Sequence, residues 1–244
     1  MAGCAPQELR LRRDPDARTP AVSSSDAGAW ALRRDGTQAA GLTVVGARGV
    51  SSIAMAERER PATAFRHPEA PQALRTLLAI AGAEPLWAVL DGAQDARISS
   101  WIRGGSSPWA CLYAGALAPE LQEVAPYLVR ILPERPDALR LLEHGWERNW
   151  GVFAATAAPQ PELRRHLRRH LRVRTETGKT LLLRWYDPRV LRMYLPTCTA
   201  NELKAFFGPV RAFIGEGPER GQLQVFTAPV ARLQVETVAV TAPR

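Results

Sequence analysis

From about Pro71 onward, short apolar runs alternate with stretches in which apolar residues recur at helical spacing. The apolar runs are bounded by Pro, Gly or Asp, which predicts buried strands at Leu86–Leu90, Ala110–Ala114, Tyr127–Leu132 and Trp150–Ala154. The patterns between these runs predict helices at Ala73–Ala81, Ala93–Arg103, Pro119–Val124 and Asp137–His144. This part of the chain therefore predicts a sheet whose strands are separated by helices.

The next part of the chain begins with its clearest helix, Pro161–Arg172, in which Leu163, Leu167 and Leu171 lie on one face. Thr177-Gly178 then separates two apolar runs and predicts a β-hairpin. Four further elements are expected: a strand at Leu191–Leu195 after an Asp187-Pro188 turn, a helix from a Thr199–Glu202 capping box to Gly208-Pro209, and strands at Val210–Ile214 and Gln222–Phe226. Together these elements predict an α/β or α+β fold, a mixed β-sheet flanked by helices.

Residues 1–66 differ from the rest of the chain in composition. They are rich in Arg, Ala, Ser, Gly and Pro, contain few aromatic residues and show no sustained helical period. Such a segment buries too little apolar surface to offset the entropy lost on ordering, so we expect a largely disordered extension with at most one short strand near Gly41–Gly46. The folded domain is then residues 67–244. Met55 offers an alternative start of translation, which N-terminal sequencing of the native protein would settle.

Charge and cysteine content narrow the class of protein. The formal net charge is +8, but all but two of the 32 basic residues are arginine, and they are spread along the chain. Arginine, alanine and proline are the residues that GC-rich coding sequences favour, so the charge alone does not indicate nucleic acid. No apolar run reaches the ~18 residues that span a bilayer, and no secretory signal follows the first arginines. Three cysteines without a CxxC pair suit the reducing cytoplasm.

Catalytic motifs are sparse. The chain contains no GxSxG elbow and no GxGxxG loop, so neither a serine nucleophile nor a dinucleotide is expected. Asp91 follows a predicted strand and precedes glycine, as many catalytic carboxylates do, but we expect it to be the N-cap of the next helix. His166 and His170 have the i, i+4 spacing of metal ligands, yet five arginines share their helix, so we interpret them as packing residues. We therefore predict no catalytic, cofactor-binding or metal-ligating residues.

Two alternative functions stay open at this point. The first is a small hydrolase that uses Asp91, which would need a pocket with a second titratable group beside it. The second is a nucleic-acid-binding protein, in which the arginines of the 161–172 helix would form one continuous basic stripe. A different kind of cluster is predicted at Arg184–Arg189, where Asp187 stands between two arginines that could pair with it.

Three blocks of sequence carry a resemblance to a known family. The first is Leu86–Ala93, which is similar to a YALLDGA start. The middle block comprises Leu112–Gly115, Glu120-Leu121, Ala125–Val129 and Trp150–Phe153. The third and most specific block comprises His166–Leu171, Arg184–Leu191 and Phe206–Pro209. In their content and order, over about residues 86–214, these blocks resemble the effector-chaperone (adaptor) family of bacterial type VI secretion systems, long known only as a domain of unknown function.

The resemblance implies an adaptor without enzymatic activity that acts in the cytoplasm. Members of this family bind a toxic effector protein and help to load it onto the valine-glycine-repeat spike protein of the secretion machine. The resemblance thus implies these two protein partners, with no cofactor, no membrane and no nucleic acid. The residues of the family signature, which are also the candidates for the partner surface, are Asp91, Arg168, Arg184, Tyr186, Asp187, Pro188, Arg189, Phe207, Gly208 and Pro209. Among them, we expect Arg184, Asp187 and Arg189 to form a fold-holding cluster near that surface.

Overall fold

A computed structural model describes residues 12–13, 66–174 and 180–240 of the chain. The strands are β1 (Arg12–Arg13), β2 (Leu86–Asp91), β3 (Trp109–Cys111), β4 (Pro126–Ile131), β5 (Gly151–Ala155), β6 (Arg172–Arg174), β7 (Thr180–Leu182), β8 (Ala212–Glu216), β9 (Gln222–Thr227) and β10 (Gln234–Ala239). The helices are α1 (Ala70–Ala81), α2 (Arg97–Gly104), α3 (Pro119–Glu123), α4 (Pro136–Gly145), α5 (Gln160–Arg168), α6 (Pro188–Tyr194) and α7 (Ala200–Phe207). Short 3₁₀ turns lie at Leu195–Thr197 and Pro229–Ala231. Within the described ranges, no helix has the length and apolar character needed to cross a membrane.

Seven strands form one sheet in the order β10-β9-β8-β5-β2-β4-β3, and every neighbouring pair is antiparallel. β2 lies near the middle of this sheet, and all six of its residues are buried. Leu86 and Ala88 belong to the core that includes α1 and α4, whereas Trp87 and Val89 belong to the core that includes α5 and α7. Because helices cover both faces, β2 is an unbroken apolar run rather than an alternating one.

The predicted α+β fold, with helices on both sides of a sheet, is confirmed. Several helix ends lie where the sequence places them. α1 ends at Gly82, whose φ of 64° lies in the left-handed region that glycine adopts without strain. α7 begins at the predicted capping box, in which the Glu202 N–H donates to the Thr199 hydroxyl and the Thr199 N–H donates to the Glu202 carboxylate.

The prediction of a strand at Leu191–Leu195 is wrong, because this segment lies in α6 and the 3₁₀ turn after it. Asp187 is the N-cap of α6, and its side chain accepts a hydrogen bond from the Arg189 N–H at 2.9 Å. Pro188 follows at the first helical position, where its fixed φ suits a helix and its missing N–H is not needed. The Asp-Pro pair is therefore a helix start and not a turn before a strand.

A second, smaller sheet is built from β1, β6 and β7. β6 and β7 form the predicted antiparallel hairpin, although its turn at Thr177-Gly178 lies outside the described residues. β1, which lies in the N-terminal extension and was not predicted from the sequence, pairs with β6. The predicted disorder of residues 1–66 and the short strand near Gly41–Gly46 otherwise concern residues outside the described ranges and stay predictions.

Candidate functional site

The carboxylate of Asp91 lies at the end of β2 and is fully buried. Its Oδ2 pairs with Nη2 of Arg184, which lies between β7 and α6 and has a mostly buried side chain. The N–H of Ala93 donates to Oδ1 of the same carboxylate at 3.1 Å. The two members of the ion pair are 93 positions apart in the chain. The pair therefore connects β2, near the middle of the sheet, to the segment that precedes α6.

Burial determines the electrostatics of this ion pair. It raises the pKa of Asp91 above its ordinary value, although the charge of Arg184 acts in the opposite direction. Burial lowers the pKa of Arg184, but the charge and the hydrogen bond of Asp91 contribute to a net upward shift of that pKa. A carboxylate removed from water in this way depends on its partner to stay ionised. Asp91 and Arg184 therefore form one unit, in which neither charge is tolerable alone.

Asp91 is not the N-cap of the next helix, contrary to the sequence-based prediction. α2 begins only at Arg97, so the turn after β2 separates Asp91 from the helix. Gly92 follows Asp91 because the chain is crowded there: a Cβ at this position would lie 2.6 Å from the carbonyl oxygens of both Glu123 and Ala125. The Asp-Gly pair thus combines a buried charge with a close approach of two backbone segments.

A pair of tyrosines lies beside the ion pair. The side chains of Tyr113 and Tyr186 are close enough to affect the pKa of each other, and the charges of Asp91 and Arg184 affect the pKa of both. Burial raises the pKa of Tyr113 to about 12 and raises the pKa of Tyr186 well above its ordinary value. Both phenols are therefore neutral at physiological pH.

The ion-pair cluster predicted around Asp187 forms with one arginine only. Nε and Nη2 of Arg189 donate to the two carboxylate oxygens of Asp187 at 3.0 and 2.6 Å. The other expected partner, Arg184, pairs with Asp91 instead. Asp187 is buried, whereas 54% of the Arg189 side chain is exposed. One end of this second ion pair therefore reaches the protein surface on α6.

Trp185 and Pro188 show how tightly the segment from Arg184 to Arg189, here called the signature segment, is packed. The Trp185 ring is fully buried and meets Phe206 and Phe213 edge to face, at centroid distances of 5.6 and 5.7 Å. The Pro188 ring is buried against β8, where a Cβ added to Gly215 would lie 3.0 Å from the Pro188 Cβ. The segment between β7 and α6 is thus fixed to both α7 and β8.

The segment Phe207–Pro209 ends α7 against α5. Phe207 is buried, and the carbonyl oxygen of Pro209 accepts a hydrogen bond from the Thr156 hydroxyl at 2.6 Å. Gly208 has a φ of 48°, and a Cβ added to it would lie 2.3 Å from the ring of His166. Both the backbone conformation and the lack of space therefore require glycine at this position.

His166 and His170 are buried, which confirms their interpretation as packing residues. Nε2 of His166 lies 2.8 Å from the carbonyl oxygen of Phe206, and the ring of His170 lies against the Phe206 ring at a centroid distance of 4.9 Å. The two imidazole rings also contact each other edge to face. These contacts place both histidines in the core between α5 and α7.

The arginine side chains of α5 and of the residue after it differ in exposure: some are half-buried and others are exposed to solvent. Nε of Arg164 donates to the carbonyl oxygen of Cys111 at 2.7 Å. Arg168 is half-buried, and burial lowers its pKa, with a smaller contribution from the charge of Arg164. Arg165 and Arg169 are exposed. Arg164 is therefore directed toward the edge strand β3, whereas Arg165 and Arg169 face the solvent.

One group of potential metal ligands occurs in the part of the chain that the structure describes. Donor atoms of His67, Glu69 and Glu147 lie within 4.8 Å of one another. Nδ1 of His67 accepts the Glu69 N–H at 3.3 Å, which assigns the proton to Nε2, the nitrogen that faces Glu147. Arg220 also donates to Glu147 at 2.7 Å. A protonated ring nitrogen and a guanidinium both oppose a cation, so we assign no metal to this group.

Sequence reasoning missed Glu216, the last residue of β8. Its carboxylate accepts the N–H of Asn149 at 2.9 Å, in a loop where Glu147 and Asn149 have φ values of 60° and 54°. Burial raises the pKa of Glu216 to about 7, although the backbone donors of this loop act in the opposite direction. No motif marks Glu216, because its environment comes from a loop more than sixty residues earlier in the chain.

Residues 86–205 match the model of a family described as a domain of unknown function (DUF4123). The match begins at β2 and ends within α7, so it contains both members of the Asp91–Arg184 pair and both members of the Asp187–Arg189 pair. Comparison with curated proteins and with solved structures finds no match.

Arg184→Met should be strongly destabilising because it leaves the buried Asp91 carboxylate without a counter-charge. We expect the free energy of unfolding, measured by urea denaturation, to fall by about 3–5 kcal/mol. Arg189→Met is the control: it also removes the counter-charge of a buried carboxylate, but 54% of the Arg189 side chain is exposed and Asp187 keeps the backbone N–H of position 189, so we expect a smaller loss than for Arg184→Met. Adding Asp91→Asn to Arg184→Met should recover part of the loss. Equal losses for the two arginine variants would contradict the special role of the Asp91–Arg184 pair.

The raised pKa of Glu216 should make stability depend on pH. The pKa of the Glu216 carboxyl is about 7 in the folded protein and 4.5 in the unfolded chain, so between these pH values the folded state holds the proton more tightly. The free energy of unfolding should therefore fall as pH rises through this range. The contribution of this one group is at most about 3 kcal/mol. Glu216→Gln keeps an oxygen for the Asn149 N–H and should remove the fall. Parallel curves for the two proteins, from urea denaturation at several pH values, would show that Glu216 does not titrate in this range.

Proposed function

We propose that the protein is a cytoplasmic adaptor that binds a cognate effector of a type VI secretion system and helps to load it onto the spike protein. The observation that carries this proposal is the presence of two ion pairs, the buried Asp91–Arg184 pair and the partly exposed Asp187–Arg189 pair. These residues belong to the first and third blocks that resemble the adaptor family, and the fold joins them although they are distant in sequence. Their role here is to hold a fold, which is what a binding protein requires.

The exposed face of α6 is the surface that we propose for the effector. Arg189 and Met193 are one helical turn apart and therefore lie on the same face, with 54% of the Arg189 side chain and 69% of Met193 exposed. A methionine adapts its shape to an apolar partner, and a guanidinium can pair with a carboxylate or a carbonyl group. This combination suits contact with a protein segment. The buried Asp187 carboxylate caps the start of α6 and so holds this face of the helix in place.

The hydrolase alternative receives no support from the surroundings of Asp91. A catalytic carboxylate must reach a substrate, whereas Asp91 is fully buried and its oxygens face Arg184 and the Ala93 N–H. Burial raises the pKa of the neighbouring phenols of Tyr113 and Tyr186, so neither is a readily ionised second catalytic group. This arrangement is that of a structural ion pair.

The proposal predicts that the tagged full-length chain co-purifies with one of the proteins encoded by neighbouring genes. The expected result is a stable complex with a single large neighbour, the effector, that survives size-exclusion chromatography. A second co-expression with the spike protein tests whether the effector is then transferred or bridged. If the chain purifies alone while its neighbours are well expressed, the adaptor function is wrong.

Met193→Asp should abolish co-purification of the effector, because it places a charge in the proposed apolar contact. The thermal midpoint of the variant should stay close to that of the wild type, since Met193 is exposed. Val124→Asp is the control, because Val124 is also exposed, at 41%, but follows α3 instead of lying on α6. Loss of the complex in both variants, or in neither, would argue against α6 as the binding surface.

A further inference from the structure

The two edges of the seven-stranded sheet are protected to very different degrees. β3, at one edge, has only three residues, and the outward carbonyl oxygen of Cys111 is covered by the Arg164 guanidinium at 2.7 Å. β10, at the other edge, has six residues that pair with β9 without a bulge. It contains no proline and no lysine, the residues that commonly block such edges. Among the described residues, β10 is therefore a long edge strand that is neither interrupted by a bulge nor paired on its outer side, and Glu236 is its one charged residue.

The hydrogen bonds of the sheet show which backbone groups of β10 are directed outward. The Val240 N–H donates to the Gly221 carbonyl oxygen at 2.7 Å, which makes Val240 a hydrogen-bonded partner of β9. Hydrogen-bonded and non-hydrogen-bonded residues alternate along an antiparallel strand, and the continuous register extends this pattern back to Gln234. The N–H and C=O groups of Val235, Thr237 and Ala239 therefore point away from β9, and no described strand pairs with them.

We propose that β10 pairs with β10 of a second copy of this chain, so that the two sheets join into one continuous antiparallel sheet. Outward-directed residues must lie opposite outward-directed residues for the hydrogen bonds to form. A two-fold axis through Thr237 meets this condition, because it places Thr237 opposite its own copy and Val235 opposite Ala239. Each of these pairs exchanges two backbone hydrogen bonds, which are available without any change in the fold of the chain.

The side chains of β10 are compatible with this self-pairing. With the axis at Thr237, the one charged residue of the strand, Glu236, lies opposite Val238 and not opposite another charge. A threonine pair and two valine–alanine pairs then form on the other face, and Thr–Thr and apolar cross-strand pairs are favourable. Moving the axis to Glu236 would place two carboxylates opposite each other, which is destabilising. The sequence of β10 thus favours the register with its axis at Thr237 over the one with its axis at Glu236, and this self-complementarity favours a second copy over an unrelated partner.

The test is sedimentation of the full-length protein over a range of concentrations. The expected result is a rise of the average mass from one chain of 26.8 kDa toward twice that value. Thr237→Pro should abolish the rise, because it removes an N–H that points outward and is not needed for pairing with β9. Thr237→Val keeps that N–H and should still dimerise. Circular dichroism of the proline variant checks that it is folded.

Oxidative cross-linking then tests the register. In the proposed dimer two copies of Thr237 face each other at about 5.5 Å between Cα atoms, which a disulfide can span, so Thr237→Cys should cross-link above the level of the wild type. Glu236→Cys is the control, because its two copies would be offset by two residues along the strands, beyond disulfide reach.

Three outcomes would overturn the inference. A wild-type protein that stays monomeric at every concentration would show that β10 does not pair with itself. A Thr237→Pro variant that dimerises like the wild type would place the interface elsewhere on the molecule. A monomeric wild type whose effector complex is lost in Thr237→Pro would show that the edge accepts a strand of a different protein. The inference makes no use of the adaptor function, and the effector experiment can fail without affecting it.

Discussion

A buried carboxylate at the end of the central strand is the constraint on which the rest of this structure depends. β2 is covered on both faces, so the charge of Asp91 cannot reach water and has to be compensated from inside the protein. Arg184 provides this compensation from a segment far along the chain. The position of that segment then determines where α6 begins and which residues fill the core between α5, α7 and the sheet.

The signature segment from Arg184 to Arg189 distributes its side chains among separate partners. Arg184 pairs with Asp91, while the Trp185 ring enters the aromatic core of α7 and β8. Asp187 starts α6 through its hydrogen bonds to Arg189. Each of these contacts restricts the same few backbone torsions, so the segment is held from several directions at once. A short and specific sequence pattern is the expected result of so many simultaneous requirements.

Much of the fold could be predicted from the sequence because its signals are local. The capping box at Thr199 and the glycine at position 82 mark helix ends through groups within one turn of the helix. The apolar run of β2 marks a strand buried on both faces. Some local patterns misled, since the Asp187-Pro188 pair fits a turn as well as a helix start. β10 was missed because Val238 is the one partly buried residue among its six, so the strand has no apolar pattern by which to recognise it.

The candidate site was predictable in its residues but not in its pairing. Arg184 and Arg189 are both close to Asp187 in sequence, and proximity along the chain suggested that both would pair with it. The fold instead brings Asp91 next to Arg184. Glu216 was missed for a related reason, since its raised pKa arises from a loop that is near only in space. Ion pairs between distant segments are properties of the topology, which residue spacing does not contain.

The long separation between Asp91 and Arg184 also has a consequence for synthesis on the ribosome. At usual elongation rates, the ribosome needs roughly 5 to 20 s to advance the 93 positions from Asp91 to Arg184. During that interval the nascent chain already contains β2, β4 and β5, which could associate, but the counter-charge for the strand end does not yet exist. The early sheet must therefore stay open at that end or keep Asp91 protonated until Arg184 emerges. Only after Arg184 has emerged can this end of β2 be buried with its charge paired.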